Sequence, residues 1–159
     1  MSDGVPVQGR REPTQKSFNE PVRVFGLPRQ HFGSVADMAV ARLASIALDC
    51  DDPSALAGFW AELVGGEVAF TSEEFVAVKT ERGWLAAVRV PDYQPPSWPD
   101  TTIPKQMHID LAVDELDQAE TEAIRLGARR AAVQPAPDRW RVLLDPAGHP
   151  FCLSTQIPE

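Results

Sequence analysis

The chain has 159 residues, of which 43% are hydrophobic and 24% charged, a composition that fits one globular domain or two small modules sharing a core. Its formal net charge of -8 disfavours phosphate backbones and anionic lipid surfaces, so we expect neither a nucleic-acid nor a membrane partner. We expect a cytoplasmic location, because no apolar run nears the roughly 20 residues of a membrane span and the N-terminus lacks a secretory signal's apolar region. The two cysteines, Cys50 and Cys152, give no disulfide framework.

Residues 1–37 differ in pattern from the rest of the chain. They contain regularly spaced prolines and show neither a helical nor a strand period. With five Lys/Arg and four Asp/Glu they carry a net charge of +1, which leaves -9 on the remainder. We expect a disordered or loosely docked N-terminal arm, because such a segment buries too little apolar surface to offset its ordering entropy. The alternative is that Met38 is the true start; residues 38–159 form the predicted domain.

The first half of this domain (module one, 42–90) begins with an alternating strand near 43–50. Asp52 can cap a helix whose first residue is Pro53, and Gly65-Gly66 ends it. Apolar residues recur at helical spacing and should face the sheet: Leu56, Phe59, Trp60 and Leu63. Three further strands follow, near 67–71, 74–80 and 83–90.

The second half (module two, 106–157) repeats the first with a shift of 63 residues, which places Ile46 on Ile109 and Leu48 on Leu111. It has a strand near 107–113 and a helix near 115–126 that Gly127 ends. Three strands follow, near 129–133, 139–144 and 149–155. Between the modules, the proline-rich linker 91–105 should wrap over a surface without regular structure. The pattern therefore predicts an α+β fold built from two βαβββ modules.

Five segments carry a family resemblance, and their order and spacing are more specific than any one of them: ARLASIALDCDDP, AGFWAELVGG, VRVPDYQPPSWPD, QMHIDLAVDELD and LLDPAGHPFCLST. Together they resemble the vicinal oxygen chelate (VOC) superfamily, in particular its glyoxalase-like and bleomycin-resistance-like actinobacterial branch. The resemblance covers about residues 42–157. It implies a mixed sheet that curls around an open cup, a small molecule bound in that cup, often through a divalent metal, and a homodimer.

The resemblance also implies four metal-ligand positions, in the first and last strands of each module. In module one the first position holds Ser45, where a metal-binding member would have His or Gln. The second falls among Ala86, Ala87 and Val88, none of which can ligate a metal through its side chain. In module two they hold His108, which keeps the family's ligand type, and Cys152, at a position where metal enzymes commonly have Glu. Asp110 is a further candidate ligand on the same strand face as His108. Because the family's ligands are missing from module one, we nevertheless expect no metal cofactor. A divalent ion held weakly by His108 and Cys152 is the alternative.

Strand alternation places His108 and Asp110 on the cup face, either as a hydrogen-bonding pair for a ligand or as a buried imidazole satisfied by its neighbours. Cys152 also faces the cup, as a small buried residue or, if its pKa were lowered, a nucleophile. Further candidate ligand-binding residues are aromatic or basic: Tyr93 and Trp98 in the linker, Trp140, and Arg89 for an anion.

Several other residues are expected to have structural or solvent-facing roles only. Cys50 and Trp60 should be core residues. Arg139 and Arg141 should be exposed strand positions. Residues 145–148 should form a type I turn without chemistry, followed by an exposed His149.

The leading hypothesis is a metal-independent protein that binds a small apolar or aromatic metabolite or antibiotic, with Ser45, His108 and Asp110 offering hydrogen bonds. The alternative is a VOC-type enzyme of the lyase, isomerase or dioxygenase class, in which His108 is the candidate catalytic residue, with a weakly held metal or as a general base. A third hypothesis is an interaction module whose N-terminal arm recruits a partner.

Overall fold

The computed structural model describes residues 40–41 and 43–158, so the expected arm lies outside the described residues. Each half of the domain has the predicted order of one strand, one helix and three strands. The elements are β1 (Ser45–Cys50), α1 (Pro53–Leu63), β2 (Glu67–Thr71), β3 (Phe75–Thr80), β4 (Gly83–Arg89), β5 (Ile109–Ala112), α2 (Leu116–Leu126), β6 (Arg129–Arg130), β7 (Trp140–Leu144) and β8 (Pro150–Ser154). The α+β class and the two βαβββ modules are confirmed.

The strands form two four-stranded mixed sheets, in the orders β1-β4-β3-β2 and β5-β8-β7-β6. In each sheet the first strand of the module pairs in parallel with its last strand, and the other pairs are antiparallel. The first strands, β1 and β5, therefore lie at sheet edges, and the sheets do not close into a barrel.

The ends of both helices follow from their local sequence. Asp52 accepts hydrogen bonds from the backbone N–H groups of Ser54 and Ala55, at 3.1 and 3.0 Å, as a helix cap does. Gly65 follows α1 with φ +69°, and Gly127 caps α2 with φ +120°. Both angles lie in the region that glycine tolerates best.

Trp60 of α1 joins the two modules in the core. Its indole packs edge-to-face against Phe59 of its own helix and Phe151 of β8, with ring centroids 5.4 and 5.3 Å apart. Its Nε1–H donates to the buried carboxylate of Asp145 at 3.1 Å. The predicted core position of Trp60 is confirmed. The hydrogen bond to Asp145 also links the two modules, which helical periodicity does not predict.

The prediction that Arg141 is exposed was wrong. Its side chain is 18% exposed, and its guanidinium contacts the carboxylates of Asp117 and Glu120 on α2. Arg130 also donates to Glu120, at 2.7 Å. Arg141 shares a strand face with Leu143, which packs in the main core, so it points toward α2 rather than toward solvent. Alternation identifies the face of a strand but not what covers it.

Neither helix in the described part of the chain is long and apolar enough to cross a membrane.

Candidate functional site

The structure gathers three candidate residues of module two into one polar cluster, the His–Asp–Cys cluster. Asp110 of β5 is in register with Cys152 of β8, and His108 immediately precedes β5. The Nε2 of His108 lies 3.2 Å from the Cys152 sulfur and 3.5 Å from Asp110 Oδ1. Alternation along β5 accounts for this arrangement, because it turns these side chains away from the face packed against the core.

Burial keeps His108 and Cys152 uncharged. Burial lowers the pKa of His108 and outweighs the attraction of Asp110 for the imidazolium. Burial, reinforced by the carboxylate of Asp110, raises the pKa of the Cys152 thiol to about 12. The second ring nitrogen of His108, Nδ1, is buried without a hydrogen bond. The cluster therefore pairs a neutral imidazole with a thiol, the opposite of an activated cysteine.

A cavity of about 460 Å³, the linker cavity, lies beside β1, the start of β5 and the linker. Its wall is largely apolar or aromatic: Ala47, Leu48, Trp60, Pro96, Ile103 and Met107 contribute to it. Its polar lining residues are Asp49, Asp92, Tyr93, Gln94, Lys105, Gln106 and His149. Its size and lining match those of small-molecule sites, which are mostly apolar with few polar anchors.

One wall of the linker cavity contains a hydrogen-bonded chain of three residues, the Asp–His–Tyr relay. His149 Nδ1 lies 2.9 Å from Asp145 Oδ2, and His149 Nε2 lies 3.0 Å from the Tyr93 hydroxyl. The prediction that His149 is exposed was wrong, since its side chain is 15% exposed and held on both nitrogens. Asp145, expected to act only in a turn, is fully buried. Tyr93 lies 56 residues from His149, so no local pattern in the sequence could pair them.

A sequence profile of the glyoxalase-like domain matches residues 45–154. The chain belongs to the glyoxalase-like domain family. Solved structures similar to it include the fosfomycin resistance protein FosX from Mesorhizobium loti, at 15% identity and TM-score 0.57 over 75% of this chain and 94% of that one. A possible glyoxalase from Bacillus cereus matches at 14% identity and TM-score 0.55, over 73% and 99% of the two chains.

A glyoxalase/bleomycin resistance protein/dioxygenase family enzyme from Burkholderia phytofirmans is also similar, at 18% identity and TM-score 0.53 over 71% of this chain and 97% of that one. No curated protein matches this chain in sequence. The predicted membership of the VOC superfamily is confirmed, and at such low identities the structural likeness speaks only for the fold. The actinobacterial branch stays a prediction.

The other residues of this glyoxalase-like domain that were predicted to bind a ligand do not form one site. Ser45 and Arg89 lie away from the His–Asp–Cys cluster, and Trp98 and Trp140 lie beside it. Ser45 lines a different cavity, of about 280 Å³. Arg89 donates through its guanidinium to the backbone carbonyls of Glu73 and Asp51, so it ties two loops together. Trp98 and Trp140 pack against a small buried cluster that includes Cys152. The linker therefore covers part of the sheet face on which a cup-bound ligand was expected.

The cluster does not reproduce the four-position metal set that the family resemblance implies, because module one supplies Ser45 and apolar residues at its two positions. It does offer three ligand atoms of mixed type, a nitrogen, a carboxylate oxygen and a sulfur, all within 4.8 Å of one another. Such a set suits Zn²⁺ better than Mg²⁺ or Ca²⁺, which prefer oxygen. The bare Nδ1 of His108 leaves this set without the outer hydrogen bond that usually orients a metal-bound imidazole.

Both thiols are expected to react slowly with Ellman's reagent in the folded protein at pH 7. Burial raises the pKa of Cys50 to about 11 and that of Cys152 to about 12, which leaves little thiolate, the reactive form. The rate should be lower by about a hundredfold or more than in the urea-unfolded chain, which is the control. A thiol that reacts as fast folded as unfolded would show an activated cysteine and revive the nucleophile hypothesis.

Metal-free protein is expected to lose stability below about pH 6.5 through His108. The unfolded state binds this proton at the ordinary pKa of about 6.5, whereas burial makes the folded state bind it only at lower pH. The free energy of unfolding therefore falls as the pH drops below that value. In His108→Gln this contribution is absent, so the difference between wild type and variant should shrink from pH 8 toward pH 5 in chelator-treated urea titrations. A difference that does not change with pH would contradict the assignment.

Proposed function

We propose that this glyoxalase-like protein binds a small, mainly apolar or aromatic molecule in the linker cavity. The observation that carries the proposal is the cavity itself, because about 460 Å³ lies between the linker and β1 with a few polar groups on an apolar wall. Neither His108 nor Cys152 lines it. The proposed ligand therefore sits beside the linker rather than at the His–Asp–Cys cluster.

Two other depressions support the proposal less well. The 280 Å³ cavity around Ser45 and Trp84 has less room. A depression of about 720 Å³ is lined by Asp110 and by acidic residues of and next to α2, including Glu115 and Glu122. Solvated carboxylates favour water over an apolar ligand. The linker cavity combines adequate volume with an aromatic wall.

Intrinsic tryptophan fluorescence tests the proposal, because Trp60 contributes to the wall of the linker cavity. A panel of planar metabolites and antibiotics is titrated into wild type, Ala47→Phe and Ala69→Phe. Ala47 lines the cavity, so the larger side chain should weaken binding at least tenfold. Ala69 lies in the exposed strand β2 and is the matched control. If no compound changes the fluorescence, or if Ala47→Phe binds as wild type does, the proposal fails.

A second candidate function is metal-dependent or general-base catalysis at the His–Asp–Cys cluster, favoured by its three converging ligand atoms. His108, Asp110 and Cys152 would hold Zn²⁺, which when bound would polarise a ligand oxygen. Without a metal, the lowered pKa of His108 leaves its imidazole neutral and able to accept a proton. The reaction classes expected from the sequence, lyase, isomerase and dioxygenase, stay proposals for this site.

Metal analysis of untagged protein purified without chelator tests the second candidate. A stoichiometric ion that is lost in His108→Gln and Cys152→Ser, but kept in Cys50→Ser, would support it. Cys50 is the matched control because it is a buried thiol outside the cluster. If the protein is dialysed against Zn²⁺ and then retains no bound Zn²⁺, the metal-dependent form is excluded. The homodimer and the cytoplasmic location expected from the sequence stay predictions.

A further inference from the structure

We infer that Asp145, His149 and Tyr93 form a relay that orients the Tyr93 hydroxyl so that its oxygen can only accept a hydrogen bond from a ligand in the linker cavity. The cavity therefore selects an apolar or aromatic molecule that carries an amine or another hydrogen-bond donor. This inference rests on the proposed function and specifies its ligand class.

The carboxylate of Asp145 fixes the tautomer of His149. Asp145 is fully buried, and three groups converge on its oxygens: the Trp60 indole N–H, the His149 backbone N–H and His149 Nδ1. The first two can only donate, so the carboxyl is held as an acceptor. Nδ1 of neutral His149 must then carry the proton that it donates to Asp145 Oδ2. Its Nε2 is left as an acceptor.

The tautomer of His149 in turn orients the hydroxyl of Tyr93. Because Nε2 accepts, the Tyr93 O–H donates to it across 3.0 Å. The hydroxyl proton is thereby committed to His149, and the oxygen can offer only lone pairs to a ligand. Burial, together with the nearby Asp145, Asp49 and Asp51, raises the pKa of Tyr93, so the phenol keeps that proton. A ligand that meets Tyr93 in this state must be the donor.

The charges around the relay favour a cation over an anion. Asp49 and Asp92 line the cavity with Tyr93, and Lys105 is the one lysine or arginine among the described residues that line it. Asp51 and Cys50 at the end of β1 also act on Tyr93, and burial keeps the Cys50 thiol neutral. Carboxylates near an aromatic wall attract a protonated amine both by charge and by cation–π contact.

The sequence makes the relay observable, because it contains one tyrosine and three histidines. In protein labelled at tyrosine Cζ, the single tyrosine signal should shift in His149→Gln, because the hydroxyl loses the imidazole nitrogen that accepts its proton. His108→Gln is the control that should leave the tyrosine signal in place. A tyrosine signal that is unchanged in His149→Gln would overturn the relay without any ligand being present.

Three probes with one aromatic body test the ligand preference: 2-naphthylmethylamine, 2-naphthoate and 2-methylnaphthalene. At pH 8 the amine should bind wild type about tenfold more tightly than methylnaphthalene, and naphthoate should bind least. In Tyr93→Phe the advantage of the amine over methylnaphthalene should fall severalfold, while methylnaphthalene binds as before.

The outcomes separate this inference from the proposed function. If the three probes bind equally, or if Tyr93→Phe leaves their order unchanged, the relay is wrong while the cavity remains a binding site. Preferential binding of naphthoate at pH 8 would likewise overturn the inference. If none of the three binds, the proposed function fails, and the ligand preference fails with it.

Discussion

Trp60→Ala is expected to lower the free energy of unfolding by about 3–5 kcal/mol, the usual cost of truncating a buried aromatic residue. Trp60 is 2% exposed and packs against Phe59 and Phe151. The substitution also removes a hydrogen-bond donor from the buried Asp145. Because Trp60 lines both the linker cavity and the 280 Å³ cavity, its loss should open one into the other. Urea titration followed by circular dichroism measures the change.

Trp60→Phe separates packing from hydrogen bonding in this prediction. Phenylalanine keeps an aromatic ring between the modules but cannot donate to Asp145, so we expect a smaller loss, about 1–2 kcal/mol. A Trp60→Ala variant within about 1 kcal/mol of wild type would show that this indole does not hold the two modules together.

Gly148→Ala is expected to destabilise the protein by about 2–6 kcal/mol and to disrupt the Asp–His–Tyr relay. Gly148 has φ +93°, and an added Cβ would lie 2.7 Å from the Cβ of Pro95 in the linker. The strained backbone and the overpacking each cost about 1–3 kcal/mol. Pro95 is two residues from Tyr93, so relief of the clash should move Tyr93 away from His149. Urea titration and the single tyrosine NMR signal report the two effects.

Gly65→Ala is the matched control, because Gly65 also has a positive φ, +69°, but an added Cβ would meet nothing within 4 Å. It should cost only the left-handed backbone conformation, about 1–2 kcal/mol, and leave the tyrosine signal in place. Equal losses in the two variants would mean that contact between Gly148 and the linker contributes nothing.

The part of the candidate site that depends on strand alternation, the His–Asp–Cys cluster, could be predicted from the sequence. Alternation along β5 and β8 predicted that His108, Asp110 and Cys152 would share a face, and the structure brings them within 4.8 Å of one another. Alternation did not predict that Trp98 would pack on the buried cluster containing Cys152, since a proline-rich linker has no period from which to infer its path.

The Asp–His–Tyr relay could not be predicted in the same way. Its outer hydrogen bond joins residues 56 apart, and the Trp60–Asp145 hydrogen bond joins residues 85 apart. A tight turn such as 145–148 is typical of solvent-exposed chain, which led to the wrong prediction for His149. Here the linker and α1 cover the turn, and covering it changes exposed polar groups into a connected buried network.

The sequence by itself determined the two βαβββ modules, the helix ends at Asp52 and Gly127, and the faces of the strands. These features depend on residues within a few positions of one another, where capping groups and the periods of helix and strand act directly. Only the tertiary structure decided which faces are covered, where the linker cavity lies and which polar groups meet inside it. Those contacts join segments far apart in the chain, and burial between them sets the charge states of His108 and Cys152 and the polarity of the linker cavity.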